Sequence, residues 1–286
     1  MSSDPFELRP LAATPQGVRA AAACVVEGGW GTYRQFHPAF AFYAAEPACH
    51  ALVAIDAAGA VAGTAVGTRY GRAGWIGHVF VRPDCRRMGL GERLTRAALD
   101  HLQAAGCGTI LLVATTAGRP LYERLGFVVE TEYHEFRGRP RAKDATLASF
   151  RPLLPTDALN LAGFDRRVNG EDRGGVLRGW LAQAWGLDGT AGLAGAVIPT
   201  PWGGAGAALS PSAGTGQATA LLNLLCTAGT VGDEVIISPP TENIRAREVL
   251  RDEGFEELRV VPRMRLGPPI EWLPDAVWNP LSLSLG

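Results

Sequence analysis

Apolar and polar residues follow two periods along this chain, and together they predict a mixed α/β protein. Apolar side chains recur at helical spacing over residues 14–26 and 90–105. A third helical stretch, residues 34–45, is predicted to be interrupted by its proline. Short apolar runs bounded by turn residues predict strands at residues 6–11, 51–55, 60–69, 74–81, 109–113, 127–130 and 131–137.

The second half of the chain repeats parts of the first. Residues 149–153 (SFRPL) resemble residues 7–11 (ELRPL), and Leu209-Ser-Pro211 resembles Val81-Arg-Pro83. Further along, a helix, an apolar strand and another helix come in the same order as in the first half. The second half therefore resembles a degenerate sequence repeat of the first.

This repeat predicts two related domains, residues 1–138 and residues 146–286. A length of 286 residues also favours two domains. The run between them, residues 137–144, is basic and contains glycine and proline. In a chain that is nearly neutral, a linker is the better interpretation of this run than a nucleic-acid patch.

Composition and charge narrow the class of protein. Hydrophobic residues make up 47% and charged residues 19% of the chain, which is typical of a globular protein. A net charge of −1 argues against nucleic-acid or anionic-membrane partners, and no apolar run approaches the ~20 residues of a membrane span. The N-terminus lacks signal-peptide features, and the five cysteines lack metal-ligand spacing. We expect a cytoplasmic protein, a monomer or homodimer, that binds no metal, nucleic acid or membrane.

The candidate chemistry lies where the strand predicted at residues 74–81 leads into a helix. Arg86, Gly89 and Gly91 lie in this junction, and Arg87 adds a second positive charge. Unpaired N–H groups at a helix N-terminus, with glycines that permit close approach, suit a phosphate or pyrophosphate. The alternative is an ordinary strand–turn–helix connection with solvated arginines.

Two motifs resemble those of the GNAT N-acetyltransferases. Arg86-x-x-Gly89-x-Gly91, after Val81-x-Pro83, resembles the acetyl-CoA signature of that family. Residues 117–127 (AGRPLYERLGF) resemble its short helix, tyrosine and closing Leu-Gly-Phe. The resemblance implies an α/β (α+β) fold of two tandem GNAT-like domains, each a mixed, mostly antiparallel sheet flanked by helices. Residues 163–173 resemble a two-domain, YitH-like subgroup whose C-terminal domain is divergent.

The family resemblance also implies an activity. It is direct transfer of an acetyl group from acetyl-CoA to a primary amine of a small molecule or peptide, with CoA as the product. A non-catalytic acyl-CoA sensor or regulatory protein is the alternative. In the second domain the two arginines have no counterpart, and Leu250 stands where the first domain has Tyr122. The second domain is therefore predicted to be non-catalytic.

By the same resemblance, the cofactor-binding residues form two groups. The strand's main chain would pair with the pantetheine arm, and the loop and helix start would hold the pyrophosphate. These residues are Val79, Phe80, Val81, Arg86, Arg87, Met88, Gly89, Leu90, Gly91 and Glu92. Thr115 falls where many relatives carry an asparagine that contacts the cofactor.

Two side chains are candidates for catalysis. The resemblance implies that Tyr122 protonates the departing CoA thiolate, which a positioned phenol can do. The alternative for Tyr122 is a packing role. The resemblance also implies a general base, or a residue that holds water, on the strand that carries His78, and a neutral imidazole could accept the amine's proton. The alternative is a structural histidine, and the glutamate frequent on this strand in the family is absent.

The acceptor-binding candidates are aromatic or acidic. In the family the first two helices and their loop help to form the acceptor site, where Trp30 and Tyr33 lie beside glycines. Asp165 and Asp172 could hold a cationic amine. Their alternative role is in helix capping and surface ion pairs.

Overall fold

The computed structural model describes residues 5–139, 150–228 and 234–286. Contacts within the chain divide it into two compact units, one ending at Leu112 and one starting at Val113, with Leu285 counted in the first. Within the described ranges, no helix combines the length and apolarity that a membrane crossing needs. In the same ranges, no group of three or more His, Cys, Asp or Glu side chains could hold a metal ion.

The first unit is a five-stranded sheet with three helices. Its elements are β1 (Phe6–Pro10), α1 (Pro15–Glu27), α2 (Tyr33–Ala45), β2 (Cys49–Asp56), β3 (Val61–Tyr70), β4 (Ala73–Val81), α3 (Leu90–Ala104) and β5 (Thr109–Val113). The strands pair in chain order. The pairs up to β4 are antiparallel, and β4 pairs with β5 in parallel.

Glycines on the sheet let α3 pack closely against it. A Cβ atom at Gly63 would come within 2.9 Å of Leu94, and one at Gly74 within 3.0 Å of Leu102. Leu94 and Leu102 are fully buried on the apolar stripe of α3. This packing fixes the start of α3 at the end of β4, where the anion loop is predicted.

The second unit contains the remaining elements. They are α4 (Arg119–Arg124), β6 (Val128–Gly138), β7 (Phe150–Pro152), α5 (Ala158–Asn169), α6 (Gly174–Arg178), β8 (Trp185–Gly189), β9 (Gly192–Pro199), β10 (Ala205–Leu209), α7 (Thr215–Ala228), β11 (Val235–Ile237), α8 (Ile244–Asp252), β12 (Glu256–Leu266) and β13 (Val277–Asn279). One antiparallel group has the order β12-β6-β11, and the other has the order β13-β10-β9-β8-β7. The predicted class, mixed α/β with mostly antiparallel strands, is confirmed.

The last predicted strand of the N-terminal domain takes its partners from the second half. β6 is one strand and not the two predicted, and it pairs with β12 and β11. The compact units divide at Leu112, whereas the sequence predicts a junction between residues 138 and 146. Most of that junction lies outside the described residues, so the division into 1–138 and 146–286 stays a prediction.

Candidate active site

A β-bulge interrupts β4 in the stretch predicted to bind the cofactor. One residue of β3, Ala65, lies opposite two residues of β4, His78 and Val79. His78 has a φ of 49°, in the left-handed region that non-glycine residues rarely adopt. The Thr64 hydroxyl donates a hydrogen bond of 2.7 Å to the His78 carbonyl and so holds the bulge.

Beyond the bulge, β4 has an open edge. Its parallel pairing with β5 covers Ala73, Gly74 and Trp75. Among the described residues, the main chain of 76–81 has no partner strand on the β5 side. Free N–H and C=O groups on such an edge can pair with an added extended ligand. The predicted pairing residues Val79, Phe80 and Val81 lie on this edge.

The His78 ring is enclosed by aromatic side chains of α2. Its Nε2 shares a hydrogen bond of 2.8 Å with the Tyr43 hydroxyl, and the Phe36 and Phe40 rings lie 5.6 Å away. Nδ1 is buried without a hydrogen-bond partner among the described residues. Burial lowers the pKa of His78 to about 4, so the imidazole is neutral at pH 7.

An ion-pair bridge that the sequence did not reveal anchors the loop after β4. Arg82 contacts Asp56 at 2.8 Å and Asp84 at 2.7 Å. The N–H of Ala60 and the Arg82 guanidinium hold the pKa of Asp56 below its usual value. Nothing in the local sequence around Arg82 indicates that its partner is the last residue of β2.

The loop presents main-chain N–H groups at the start of α3. Arg87 and Gly89 have φ values of 64° and 78°, and such left-handed residues turn neighbouring N–H groups toward one point. The N–H groups of Leu90, Gly91 and Glu92 have no acceptor among the described residues, as expected for the first helical turn. The backbone therefore has the form of an anion site.

The side chains of this loop differ in exposure and in their contacts. Arg87 and Met88 are exposed. Arg86 folds back, with its Nε donating to the Val81 carbonyl at 3.0 Å and its guanidinium 6.0 Å from the Phe80 ring. Arg86 thus lies against the open edge as well as beside the loop.

Two predicted binding residues use their side chains elsewhere. Leu90 is 1% exposed and packs in the core, so only its main chain can contact a ligand. The Glu92 carboxylate pairs with Arg96 at 2.9 Å. For both residues, only the main-chain N–H group remains a candidate for binding the cofactor.

The second motif forms the short helix α4 in the second unit. Tyr122 is 7% exposed and packs edge-on against Phe127, with ring centroids 6.1 Å apart. Burial raises the pKa of Tyr122 to about 12, and its hydroxyl has no partner among the described residues. The Thr115 hydroxyl accepts from the Gly118 N–H at 3.1 Å, so it shapes the turn before α4.

The aromatic acceptor candidates lie in the α1–α2 region. Trp30 is half-buried and packs edge-on against Phe80 at 5.3 Å. Tyr33 is 41% exposed and lies 5.1 Å from the His37 ring. Trp30 therefore lies beside the predicted cofactor strand, and Tyr33 faces solvent.

The acidic acceptor candidates differ in burial. Asp165 is buried and binds Arg173 through two contacts of 2.5 and 2.9 Å. It also accepts from Asn169 at 3.0 Å. This buried, fully engaged carboxylate does not support the predicted acceptor role, and the structural alternative fits it. Asp172 is exposed.

Comparison with known sequences gives a family match and a relative, each covering less than half of the chain. Residues 18–127 match the acetyltransferase (GNAT) family. The uncharacterized N-acetyltransferase YitH of Bacillus subtilis is 35% identical over 114 residues, which are 38% of this chain and 39% of YitH. The match thus spans about two fifths of that relative's length.

Comparison with solved structures covers nearly the whole chain. A proposed acetyltransferase from Pyrococcus horikoshii has a TM-score of 0.80 at 20% identity, with 100% of this chain and 98% of that chain covered. A tandem GNAT protein from the clavulanic acid biosynthesis pathway has a TM-score of 0.60 at 15% identity, with 92% and 99% covered. At such identities the likeness shows a shared fold.

Proposed function

We propose that the protein transfers an acetyl group from acetyl-CoA directly to a primary amine, because residues 18–127 of the chain match the acetyltransferase (GNAT) family. The acceptor is a small molecule or a peptide, and CoA is the product. One observation carries the proposal: the free N–H groups at the start of α3 adjoin the open edge of β4. We place this activity in the cytoplasm, in keeping with five free cysteines.

The proposed cofactor site uses main chain more than side chain. The N–H groups of Gly89 to Glu92 and the helix dipole bind the pyrophosphate, and Arg87 supplies a full positive charge. The pantetheine arm pairs with Val79–Val81 as an added strand. Arg86 lies at the end of this edge, where its Nε occupies the Val81 carbonyl, so pairing with the arm uses the other main-chain groups of the edge or displaces this contact.

The proposed reaction breaks one bond and forms one. The amine nitrogen attacks the thioester carbonyl carbon, whose oxygen is polarised by N–H groups near Val81. The C–S bond then breaks, and the sulfur leaves with the electron pair. Tyr122 donates its proton to that sulfur. A pKa of about 12 keeps the phenol protonated and available at neutral pH.

The amine must also lose a proton. His78 is the predicted base, but a pKa of about 4 makes it a weak acceptor for the proton of an ammonium group. The amine therefore arrives neutral or passes its proton to water, and the role of His78 as base stays a prediction. Its contacts with Tyr43 and Thr64 support a role in holding the bulge.

The test is CoA release from acetyl-CoA in the presence of a panel of primary amines, with acetyl-CoA alone as the control. We expect release that depends on at least one amine, with the acetylated amine found by mass spectrometry. Binding of acetyl-CoA without release for any amine would favour the alternative, a non-catalytic acyl-CoA sensor. Absence of both binding and release would exclude both functions.

A further inference from the structure

The chain's own C-terminal segment covers an edge of the sheet in the second half. β13 pairs antiparallel with β10, with Ala207 opposite Asn279 and Ala208 opposite Val277. Along its other edge, β10 pairs with β9. Both edges of β10 are therefore occupied at these positions.

Two asparagines fasten β13 in place. The Asn279 side chain accepts from the Ser238 N–H at 2.7 Å and donates to the Ala205 carbonyl at 2.6 Å. The Asn243 side chain donates to the Val277 carbonyl at 2.7 Å. Because Ser238 directly follows β11, these bonds place β13 between β10 and the end of β11.

The segment is also part of the hydrophobic core. Trp278, at the centre of β13, is 1% exposed and packs in the cluster that contains Ala205, Ala207 and Leu209 of β10. Burying an aromatic side chain of this size stabilises the fold by a few kcal/mol. β13 is therefore a built-in element and not a loose tail.

The sequence repeat shows what this position corresponds to in the first half. Leu209 aligns with Val81, since each stands two residues before the proline that follows the strand. Counting back, Ala207 and Ala208 align with Val79 and Phe80 on the open edge of β4. β10 pairs with the strand before it, β9, as β4 pairs with the strand before it, β3, so the edge of β10 that β13 covers corresponds to the open edge of β4. The same edge is thus free in one half and covered in the other.

We propose that β13 occupies, in the second half, the place that the pantetheine arm of acetyl-CoA takes in the first. The second half is then closed to the cofactor by its own chain, in addition to lacking the loop arginines. This inference rests on the proposed function, because it takes the edge of β4 to be the cofactor's binding edge. It also explains how a degenerate repeat keeps its edge strand paired without a ligand.

Hydrogen–deuterium exchange of the full chain, with and without acetyl-CoA, tests the inference. Without cofactor, amides of residues 205–209 should exchange at least about tenfold more slowly than those of residues 76–81. On addition of acetyl-CoA, residues 76–81 should become protected and residues 205–209 should not change. Asn279→Ala removes both side-chain bonds of Asn279 and should speed exchange in residues 205–209 and at Ser238 but not in residues 76–81, whereas Ser284→Ala in the same segment should change neither region.

The outcomes separate the two proposals. Fast exchange of residues 205–209 without cofactor, or new protection there on adding acetyl-CoA, overturns the role of β13. No protection of residues 76–81, together with no heat of acetyl-CoA binding, overturns the proposed function and the equivalence built on it. If Asn279→Ala does not fold, as judged by circular dichroism, the comparison within the wild-type chain decides.

Discussion

A phenol can give up a proton only while it holds one, and burial keeps Tyr122 protonated at neutral pH. If the hydroxyl protonates the thiolate, Tyr122→Phe should lower turnover by about 10²–10⁴-fold. Acetyl-CoA affinity should hardly change, because the lost interaction belongs to the transition state. A free thiol has a pKa of about 8.5, so CoA can leave as a thiolate with little help from an acid. We therefore expect the loss of turnover to lie near the lower end of this range.

The measurement is steady-state kinetics with direct cofactor binding on the same preparation. Tyr70→Phe is the matched control, because it also removes a buried hydroxyl, at the end of β3, and should leave turnover unchanged. Wild-type turnover in Tyr122→Phe would remove the acid role. A defect confined to acetyl-CoA binding would make Tyr122 a wall of the cofactor site.

His78 gives a second prediction at the residue scale. With a pKa of about 4, it is already neutral across the usual assay range. We therefore expect a fall in kcat/KM on the low-pH side, between roughly pH 8 and 6, to persist in His78→Gln, because another group causes it. Disappearance of the limb in this variant, with the fold intact, would establish His78 as the base.

The same pKa affects stability. The pKa of His78 in the folded state lies below the 6.5 of an ordinary histidine, so the unfolded chain binds the proton more readily. The contribution of His78 is complete above pH 6.5 and is lost as the pH falls toward 4, by up to about 3 kcal/mol. Urea unfolding at pH 7 and pH 5 should show a smaller pH dependence for His78→Gln than for the wild type.

Residue types were readable from the sequence, but their contacts were not. The Arg86–Gly91 spacing predicted a loop with free N–H groups, and those groups have no acceptor among the described residues. The engagement of Asp165 by Arg173 depends on the packing of α5, which no local pattern records. Burial decides the pKa values of His78 and Tyr122, and it follows from the whole fold.

At the scale of the element, the start of α3 gives the clearest test. Gly89→Asp adds bulk and negative charge where the pyrophosphate is proposed to bind, and acetyl-CoA binding should be lost. Gly59→Asp is the matched control, because Gly59 has a φ of 81° against 78° for Gly89 and equally open space around its Cβ position. The backbone strain is therefore similar in the two variants.

Isothermal calorimetry on both variants separates charge at the site from strain. We expect normal acetyl-CoA binding by Gly59→Asp and none by Gly89→Asp. Equal binding by the two variants would mean that the anion site lies elsewhere. Equal loss would mean that strain, and not position, is responsible.

The elements themselves were largely predictable, with two instructive exceptions. The bulge in β4 adds one residue to a strand, and the alternation of side chains carries no signal for it. Pro38 was expected to interrupt α2, yet the helix continues from Tyr33 to Ala45. Pro38 is the sixth residue of the helix, so it removes one internal hydrogen bond and crowds the preceding turn, at a cost of about 3 kcal/mol. Burial of Ala39, Phe40 and Tyr43 in the same helix offsets that cost.

At the scale of the whole molecule, the sequence repeat predicts one cofactor per chain. The second half lacks counterparts of Arg86, Arg87 and Tyr122. Titration of the full chain with acetyl-CoA should therefore give one equivalent. Two equivalents would contradict the assignment of the second half as degenerate.

Local sequence patterns predicted the fold class and the order of the repeated elements, but they did not predict which distant strands pair. The apolar strand predicted between the two helices of the second half is β11, but its pairing with β6 was not predicted. β12 extends the same group by pairing with β6 over most of its length. Pairing between distant segments depends on which edges remain free after the helices have packed, and one sequence does not record that.

The partnership of β6 and β12 has a consequence for the protein's synthesis. β6 ends at Gly138 and β12 begins at Glu256, so the ribosome makes about 120 further residues before the partner strand emerges. At a translation rate of about 5–20 residues per second, the edge of β6 that pairs with β12 stays without that partner for roughly 6 to 24 seconds. An unpaired edge strand is a template for association with other chains. Nascent chains halted before residue 256 should therefore need chaperone protection that the finished chain does without.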